Sequence, residues 1–435
     1  MKKSFLIVLI AVIAISLCSC GMFPVLPTEN TAETVEPVKP YLKVLPDALH
    51  YSEYYTPVKS SYSYEALPLK SEKQLYTELL EVSYEISPEK EEETDLYPMP
   101  EIELQGYPMT EAQVRTAMKA LTDDNPEIFW IAGTIGYFSD ESTTIVRMYS
   151  NYSPEEVFSR VNAVRAVENE FYATVPDELS EYERERMAHD YLLDRITYDK
   201  DVDLVNLDSN NPDIYTAYGA LVNQVAVCEG YARSFQMLMN GLGVDCVGVM
   251  GNSSEQLHIW NAVKLDDNWY NVDLTWNDRE ESYARYIYFN VDDEFLLDDH
   301  TTAPMYSALS DDAINGLEGD YGSSVMNLFV PECTRSDRGY YYRETPHLDN
   351  YEGEAVKSGL LECAMKEEEY FVFYIDEALD FDTTVSELFA YYPQCFFDYM
   401  NAVNNSLTDY SIDSSNVSYY TYEKSRIVAV EMHYY

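Results

Sequence analysis

The chain of 435 residues carries 28 Lys and Arg against 77 Asp and Glu, a formal net charge of −49 at pH 7. Its longest N-terminal basic run is Lys2-Lys3, which excludes a binder of nucleic-acid phosphates and a protein held to anionic lipid by a polybasic patch. Self-repelling charge of this size suits a monomer outside the cytoplasm, while 46% hydrophobic residues supply folded cores and exclude wholesale disorder.

Met1-Lys2-Lys3 is followed by an uncharged apolar stretch from Phe5 to Leu17. This falls short of the ~20 residues of a permanent bilayer span and has the size of a secretory signal core. Leu17-Cys18-Ser19-Cys20-Gly21 resembles a bacterial lipobox. The resemblance implies that residues 1–19 are a lipoprotein signal peptide and that Cys20 is acylated. At ~0.8 kcal/mol per buried methylene, two or three acyl chains hold a protein firmly at a membrane. The expected location is therefore the cell surface, with contact to the membrane through the lipid alone. Residues 20–47, with Pro24, Pro27, Pro37, Pro40 and Pro46 among Thr and Glu, read as an acidic extended tether.

The length allows about two to three domains of ~150 residues. Residues 48–178 read as an accessory region of helices and strands. Its first predicted helix runs from Ser71, as N-cap, to Val82, and an acidic connector follows from Pro88 to Pro100. A second helix opens on Thr110 and stops at Asp124-Asn125-Pro126. Strands are predicted at Ile128–Phe138 and Thr143–Met148. Ser153-Pro154-Glu155-Glu156 starts a helix toward Tyr172, with Pro in the first turn and acids over the positive dipole end. The next domain, 179–305, begins with a helix over Ser180–Ile196. Residues 306–435 read as a small Tyr-rich α+β module: strands at Tyr340–Tyr342, Tyr370–Ile375 and Ser418–Tyr422, helices at Glu354–Met365 and Thr384–Val403.

The chemistry-bearing residues lie in the middle domain. From Cys228 onward, Tyr231, Phe235, Leu238, Met239 and Leu242 form one apolar helical stripe, and Gly241 and Gly243 end it. Cys228 thus sits at a helix N-terminus, where unpaired N–H groups and the dipole favour a thiolate and can meet an oxyanion. Two strands follow, Leu257–Leu265 and Trp269–Trp276, with the acidic turn Asp266-Asp267-Asn268 between them. His258 shares a face with Trp260, and Asp273 with Trp269 and Thr275. A tight turn at Asp267-Asn268 sets Ala262 opposite Asp273. The carboxylate reaches the imidazole only if the turn centres nearer Leu265-Asp266 or a bulge shifts the register. In that case His258 can take the thiol proton and Asp273 can fix its tautomer.

Ala217-Tyr-Gly-Ala-Leu221, Val227-Cys228-Glu-Gly-Tyr-Ala-Arg233, His258-Ile-Trp260-Asn and Trp269-Tyr-Asn-Val-Asp273-Leu-Thr-Trp276 together resemble the bacterial transglutaminase-like superfamily. Upstream, Ala188-His189-Asp190-Tyr191 and Tyr198-Asp199 fit the same pattern, as do Tyr288-Phe289-Asn290-Val291 and Asp299-His300 downstream. The resemblance implies an α+β, papain-like core over 179–305 with Cys228, His258 and Asp273 as catalytic triad. The implied enzyme is a cysteine peptidase or amidase, or a transamidase. It would act on amide bonds of protein or cell-wall peptide through an acyl-enzyme that water or an amine resolves, without a cofactor. Many relatives have Gly two residues before the Cys, where this chain has Ala226. Gln224 is the candidate side chain for the oxyanion; Trp260 and Tyr231 are candidates for lining the site. His189 reads as structural.

Cys246, Cys333, Cys363 and Cys395 allow three disulfide pairings in an oxidising compartment, and none has zinc-type spacing. Asp201-Val-Asp203-Leu-Val-Asn206 looks superficially like a calcium loop but lacks the EF-hand spacing and Gly, and reads as a solvated loop. The acidic surface suits a Lys-bearing peptide partner. The competing reading is a binding or scaffold lipoprotein that uses the same fold without catalysis.

Overall fold

A computed structural model describes residues 25–26, 40–51, 54–202, 211–254, 256–306, 326–408 and 410–435. The predicted signal peptide, Cys20, most of the tether, and residues 203–206 of the calcium-like loop lie outside the described residues. The fold mixes helices and strands, and among the described residues no helix is long and apolar enough to cross a membrane.

Two compact units are present. The first comprises the chain through Trp269, Asp273–Thr275 and the segment 297–333. Its helix α1 (Lys70–Val82) starts one residue before the predicted cap. Leu69 is the N-cap, and the Glu72 carboxylate accepts from its N–H at 3.2 Å. Helix α2 (Glu111–Asp124) has a complete capping box. The Gln113 N–H donates to Thr110 Oγ1 at 3.3 Å, and Gln113 Oε1 accepts from the Thr110 N–H at 2.9 Å. Leu75 and Leu79 from α1 join Val114, Met118 and Leu121 from α2 in one core. Strands β1 (Ile131–Ser139) and β2 (Thr143–Ser150) form an antiparallel pair, and Ile102–Gln105 pairs along β2. The chain meets this unit inside the stretch expected as a tether. Val25–Leu26 pairs in parallel with β1, and Leu42–Lys43 pairs with Glu85–Ile86. Helix α3 (Pro154–Tyr172) carries the expected Ser153 cap.

The remainder of this unit holds the helices α4 (Glu181–Arg195) and α5 (Cys228–Gly241), and the strands β3 (Cys246–Ser253), β4 (Gln256–Leu265) and β5 (His300–Thr302). β3 lies antiparallel to β4 on one side and to β5 on the other. Helix α5 packs on β3 and β4, and the Asn261 side chain of β4 donates to the Ala232 carbonyl of α5 at 3.1 Å. The predicted strand to Trp276 is shorter than expected. It spans Asn268–Val272, and Leu274–Asn277 is helical. Asp273 stands at the junction, as befits a residue that favours helix starts over strand interiors.

The second unit comprises Tyr270–Val272, Trp276–Leu296 and residues 334–435. Helices α6 (Glu354–Met365) and α7 (Cys395–Asn404) share a core with β6 (Tyr370–Ile375) and β8 (Ile427–Glu431) through Leu360, Phe371, Phe373, Phe396 and Val428, and β7 (Ser418–Tyr422) pairs along β8. β8 lies antiparallel between β6 and β7. Two expectations are corrected here. Tyr340–Tyr342 is not a strand but the start of the helix Tyr340–Glu344. The helix expected from Thr384 to Val403 is broken ahead of α7, at the cis Tyr392–Pro393 bond and the left-handed Gln394. Pro393 has no N–H to give and forces the residue before it out of helical conformation. The five described cysteines, Cys228, Cys246, Cys333, Cys363 and Cys395, are all buried thiols, so none of the expected pairings is formed.

Asp124 ties α2 to the helix Tyr62–Ala66. Its carboxylate accepts from the Ser63 and Tyr64 N–H groups at 3.0 and 2.9 Å. Burial pushes its carboxyl up to about 6, against the lowering effect of those bonds. The folded state therefore holds a proton on Asp124 that the unfolded chain, titrating near ~3.9, gives up. The resulting term adds stability as pH falls from above 6 toward 4 and is absent above 6. Asp124→Asn should erase that term. Denaturant unfolding at pH 5 and pH 8 should show the variant gaining on wild type at pH 8 by roughly 1–3 kcal/mol. An unchanged difference refutes the assignment.

Candidate active site

Helix α5 is built to present its first residue. The segment before it is pinned by three backbone bonds: Thr197 N–H to the Gln224 carbonyl at 2.9 Å, Asp199 N–H to Ala226 at 2.9 Å, and Val227 N–H to Ile214 at 3.0 Å. Cys228 follows as the first helical residue, 5% exposed. It shares an apolar cluster with Ile214, Tyr215, Met250, Ile259 and Ala303. Ile259 lies on β4 and Ala303 just past β5, so the thiol packs beside the strands that carry His258 and His300.

Glu229, beside the thiol, is fully buried, and its carboxylate is compensated. Arg233, one turn on, reaches Glu229 at 3.4 Å and Asp123 of α2 at 3.0 Å. Glu229 therefore brings little uncompensated negative charge to the mouth of α5. Removing the guanidinium would strand a buried carboxylate, a loss worth about 3–5 kcal/mol. Arg233→Met should lower unfolding stability by that order. The double variant Glu229→Gln/Arg233→Met should recover a large part of it in the same denaturant titration.

The turn between the two predicted strands sits at Asp266–Asp267, both with positive φ (47° and 64°), one residue before the position expected for a tight turn. Counting out from it sets Trp260 across from Asp273, with His258 one pleat further on, a diagonal neighbour. A register shift between Asn271 and Val272, where that strand pairs with Phe289–Val291, redirects the chain just ahead of Asp273. The outcome is a short hydrogen bond: His258 Nε2 donates to Asp273 Oδ2 at 2.6 Å. Asp273 is 0% exposed. Burial alone would raise its carboxyl, but the charges and hydrogen bonds of His258 and His300 hold it well below the usual carboxylate range.

His300 is the residue that sequence reasoning passed over. Its Nε2 lies 3.1 Å from the same Oδ2 of Asp273, and its Nδ1 lies 2.6 Å from Asp299 Oδ1. The imidazole is 1% exposed. Burial alone would lower it, but the two carboxylates raise it above its ordinary value. The available signal was the Asp299-His300 pair at the end of the core segment. Trp260 packs against both histidines, its ring 6.3 Å from His258 and 5.4 Å from His300. His258, Asp273 and His300 offer ligand atoms within 4.8 Å of one another, the grouping among the described residues through which a cation could be held. Their separations are those of N–H···O hydrogen bonds onto one oxygen.

The other predicted residues fall as follows. Tyr231 is buried one turn past Cys228, its ring 6.3 Å from Tyr198. Gln224 is exposed, in left-handed conformation (φ 61°), and its backbone carbonyl is used by Thr197. His189 is buried in α4 beside Asp190 at 3.0 Å. Trp276 lies in the helical turn, with its ring 5.2 Å from Tyr288.

Residues 166–274 match the transglutaminase-like superfamily core, so the chain carries a domain of that superfamily. Over 109 residues it is 30% identical to kyphoscoliosis peptidase of Mus musculus, a match covering 22% of this chain and 16% of that protein. The match thus takes in only about a sixth of that relative's length. A crystal structure of a TGase aligns over 34% of this chain and 46% of its own, with 17% identity and a TM-score of 0.26.

Proposed function

We propose that this chain is a cysteine acyl-transfer enzyme acting on amide bonds of protein or cell-wall peptide. The observation that carries the reading is the buried His258–Asp273 hydrogen bond; Cys228, at a helix start, shares an apolar cluster with Ile259 of the strand that carries His258. With Nε2 engaged by Asp273, Nδ1 of His258 is the nitrogen left for the thiol, and it accepts the Cys228 proton. The thiolate attacks the amide carbonyl carbon. The oxyanion meets the N–H groups that open α5, with Gln224 as candidate side-chain donor. Collapse breaks the C–N bond, His258 returns its proton to the leaving amine, and a thioester remains. Water or a primary amine then attacks the thioester, giving its proton to His258, and Cys228 leaves. Asp273 stabilises the imidazolium in both halves.

Labelling with a thiol-reactive amide-mimic probe tests this. Wild type should label at Cys228, and Cys228→Ala should not. Equal labelling of both removes the enzyme reading and leaves the scaffold one. A fluorescent primary amine offered with a peptide mixture separates the two acceptors, since incorporation means transamidation and release of free acid means hydrolysis.

The cellular setting belongs to the same proposal: a lipid on Cys20 anchors an acidic body at a bacterial surface, where Lys-bearing peptides are drawn to it. Cys20→Ala should move the protein from the membrane pellet to the soluble fraction. If the variant still pellets, the acyl anchor is ruled out.

A further inference from the structure

We propose that His300 is a positioning residue for the His258 base: an imidazolium wedged between Asp299 and Asp273 that fixes Asp273 Oδ2 against His258 and takes up part of its charge. This rests on the acyl-transfer reading above. Each nitrogen of His300 lies at hydrogen-bonding distance from a carboxylate oxygen, at 2.6 Å for Asp299 and 3.1 Å for Asp273. Carboxylates only accept, so both nitrogens must carry protons, and a ring with two N–H groups is cationic. Charge-assisted bonds of this kind are the strong ones, which is what holds a cation at a site with 1% exposure.

The position of His300 matters because of what it shares. His258 and His300 both donate to the same oxygen of Asp273, and their rings are 5.4 Å apart. The second donor leaves Oδ2 with little freedom to swing away from His258. The second positive charge also opposes the first: when His258 takes the thiol proton, two imidazoliums face one buried carboxylate, with Asp299 balancing the outer one. The groups facing His300 can be named from each side. β4 presents His258 and Trp260, the junction presents Asp273, and its own segment presents Asp299. The facing strand β3 presents Ser253, Asn252 and Gly251, none of which titrates in the working range. His300 therefore weakens the pull of Asp273 on the His258 proton while holding the geometry, which makes His258 a readier proton donor to the leaving amine.

The test uses the full-length protein and needs no substrate. Alkylation of Cys228 by iodoacetamide is followed against pH. A thiolate–imidazolium pair gives two steps, one for loss of the thiol proton and one for loss of the imidazolium proton. His300→Gln keeps an N–H donor toward Asp273 but removes the charge. It should shift the upper step to higher pH by about one unit, the scale of a like charge withdrawn at this distance. His300→Ala removes the donor as well and should also lower the alkylation rate. A His300→Gln profile that superimposes on wild type overturns the proposal, and the Gln variant carries the test if the Ala variant fails to fold. If wild type is not alkylated at Cys228, the acyl-transfer reading fails and this one with it; normal alkylation with an unmoved upper step sinks this one alone. Independently, the ring nitrogens of His300 should both be protonated in 15N spectra at pH 7. A neutral single-tautomer ring there also overturns it.

Discussion

A carboxylate with no exposure to water organises this protein's central domain. An ionised Asp in a dry interior is untenable unless other groups replace its lost hydration, and Asp273 has two imidazole donors converging on one oxygen. That requirement reaches into the topology. β4 delivers His258 and β5 delivers His300 from opposite sides of β3, which brings residues distant in sequence to one oxygen. The strand ends at Val272, and Asp273 stands at the junction where both rings meet its carboxylate.

The same logic runs through the acidic composition. A chain of net charge −49 should be a poor host for a thiolate. The structure handles the conflict locally. Arg233 lies between Glu229 and Asp123, so the carboxylate next to Cys228 in sequence is paired with a cation. Where no cation is supplied, burial instead favours the protonated acid, as at Asp124. In Glu168 burial pushes the carboxyl up to about 7 despite Arg165 at 2.9 Å. Glu229 is thus paired, while Asp124 and Glu168 are inclined toward neutrality.

How much of this was legible in the sequence depended on whether the deciding force was local. The caps at Thr110, Ser153 and Ser180 act within three residues, and those helices begin where the sequence places them. The helix of Cys228 was equally legible, because its apolar stripe and the left-handed Gly243 lie within one segment. The His258–Asp273 partnership could be named but not placed, since a turn shifted by one residue changes the facing pair. The contacts of His300 were hard to read because Asp273 and His258 sit on other segments and only Asp299 adjoins it in sequence. The helix expected over Thr384–Val403 runs through Pro393, a residue that cannot continue a helix, and the chain breaks there. Tyr340–Tyr342 failed for the opposite reason: three aromatics favour strands by propensity, and packing overrode it.

The approach to Cys228 shows how a departure from the family's pattern can be absorbed. Two residues before the thiol, where the resemblance leads one to expect Gly, this chain has the fully buried Ala226. Its methyl group needs room against α5, and that room exists because residue 230 has no side chain. A Cβ built on Gly230 would lie 2.6 Å from the Ala226 methyl and 2.8 Å from the Ile214 carbonyl. That carbonyl is the one that accepts from the Val227 N–H and so fixes the entry to the helix. Bulk at 226 and bulk at 230 compete for one gap between the loop and the helix. The chain places the methyl on the loop side and none on the helix side, and the backbone that aims Cys228 keeps all three of its anchoring bonds. The absent side chain at 230 therefore helps fix the thiol's position, although Gly230 would touch neither substrate nor proton in the proposed chemistry.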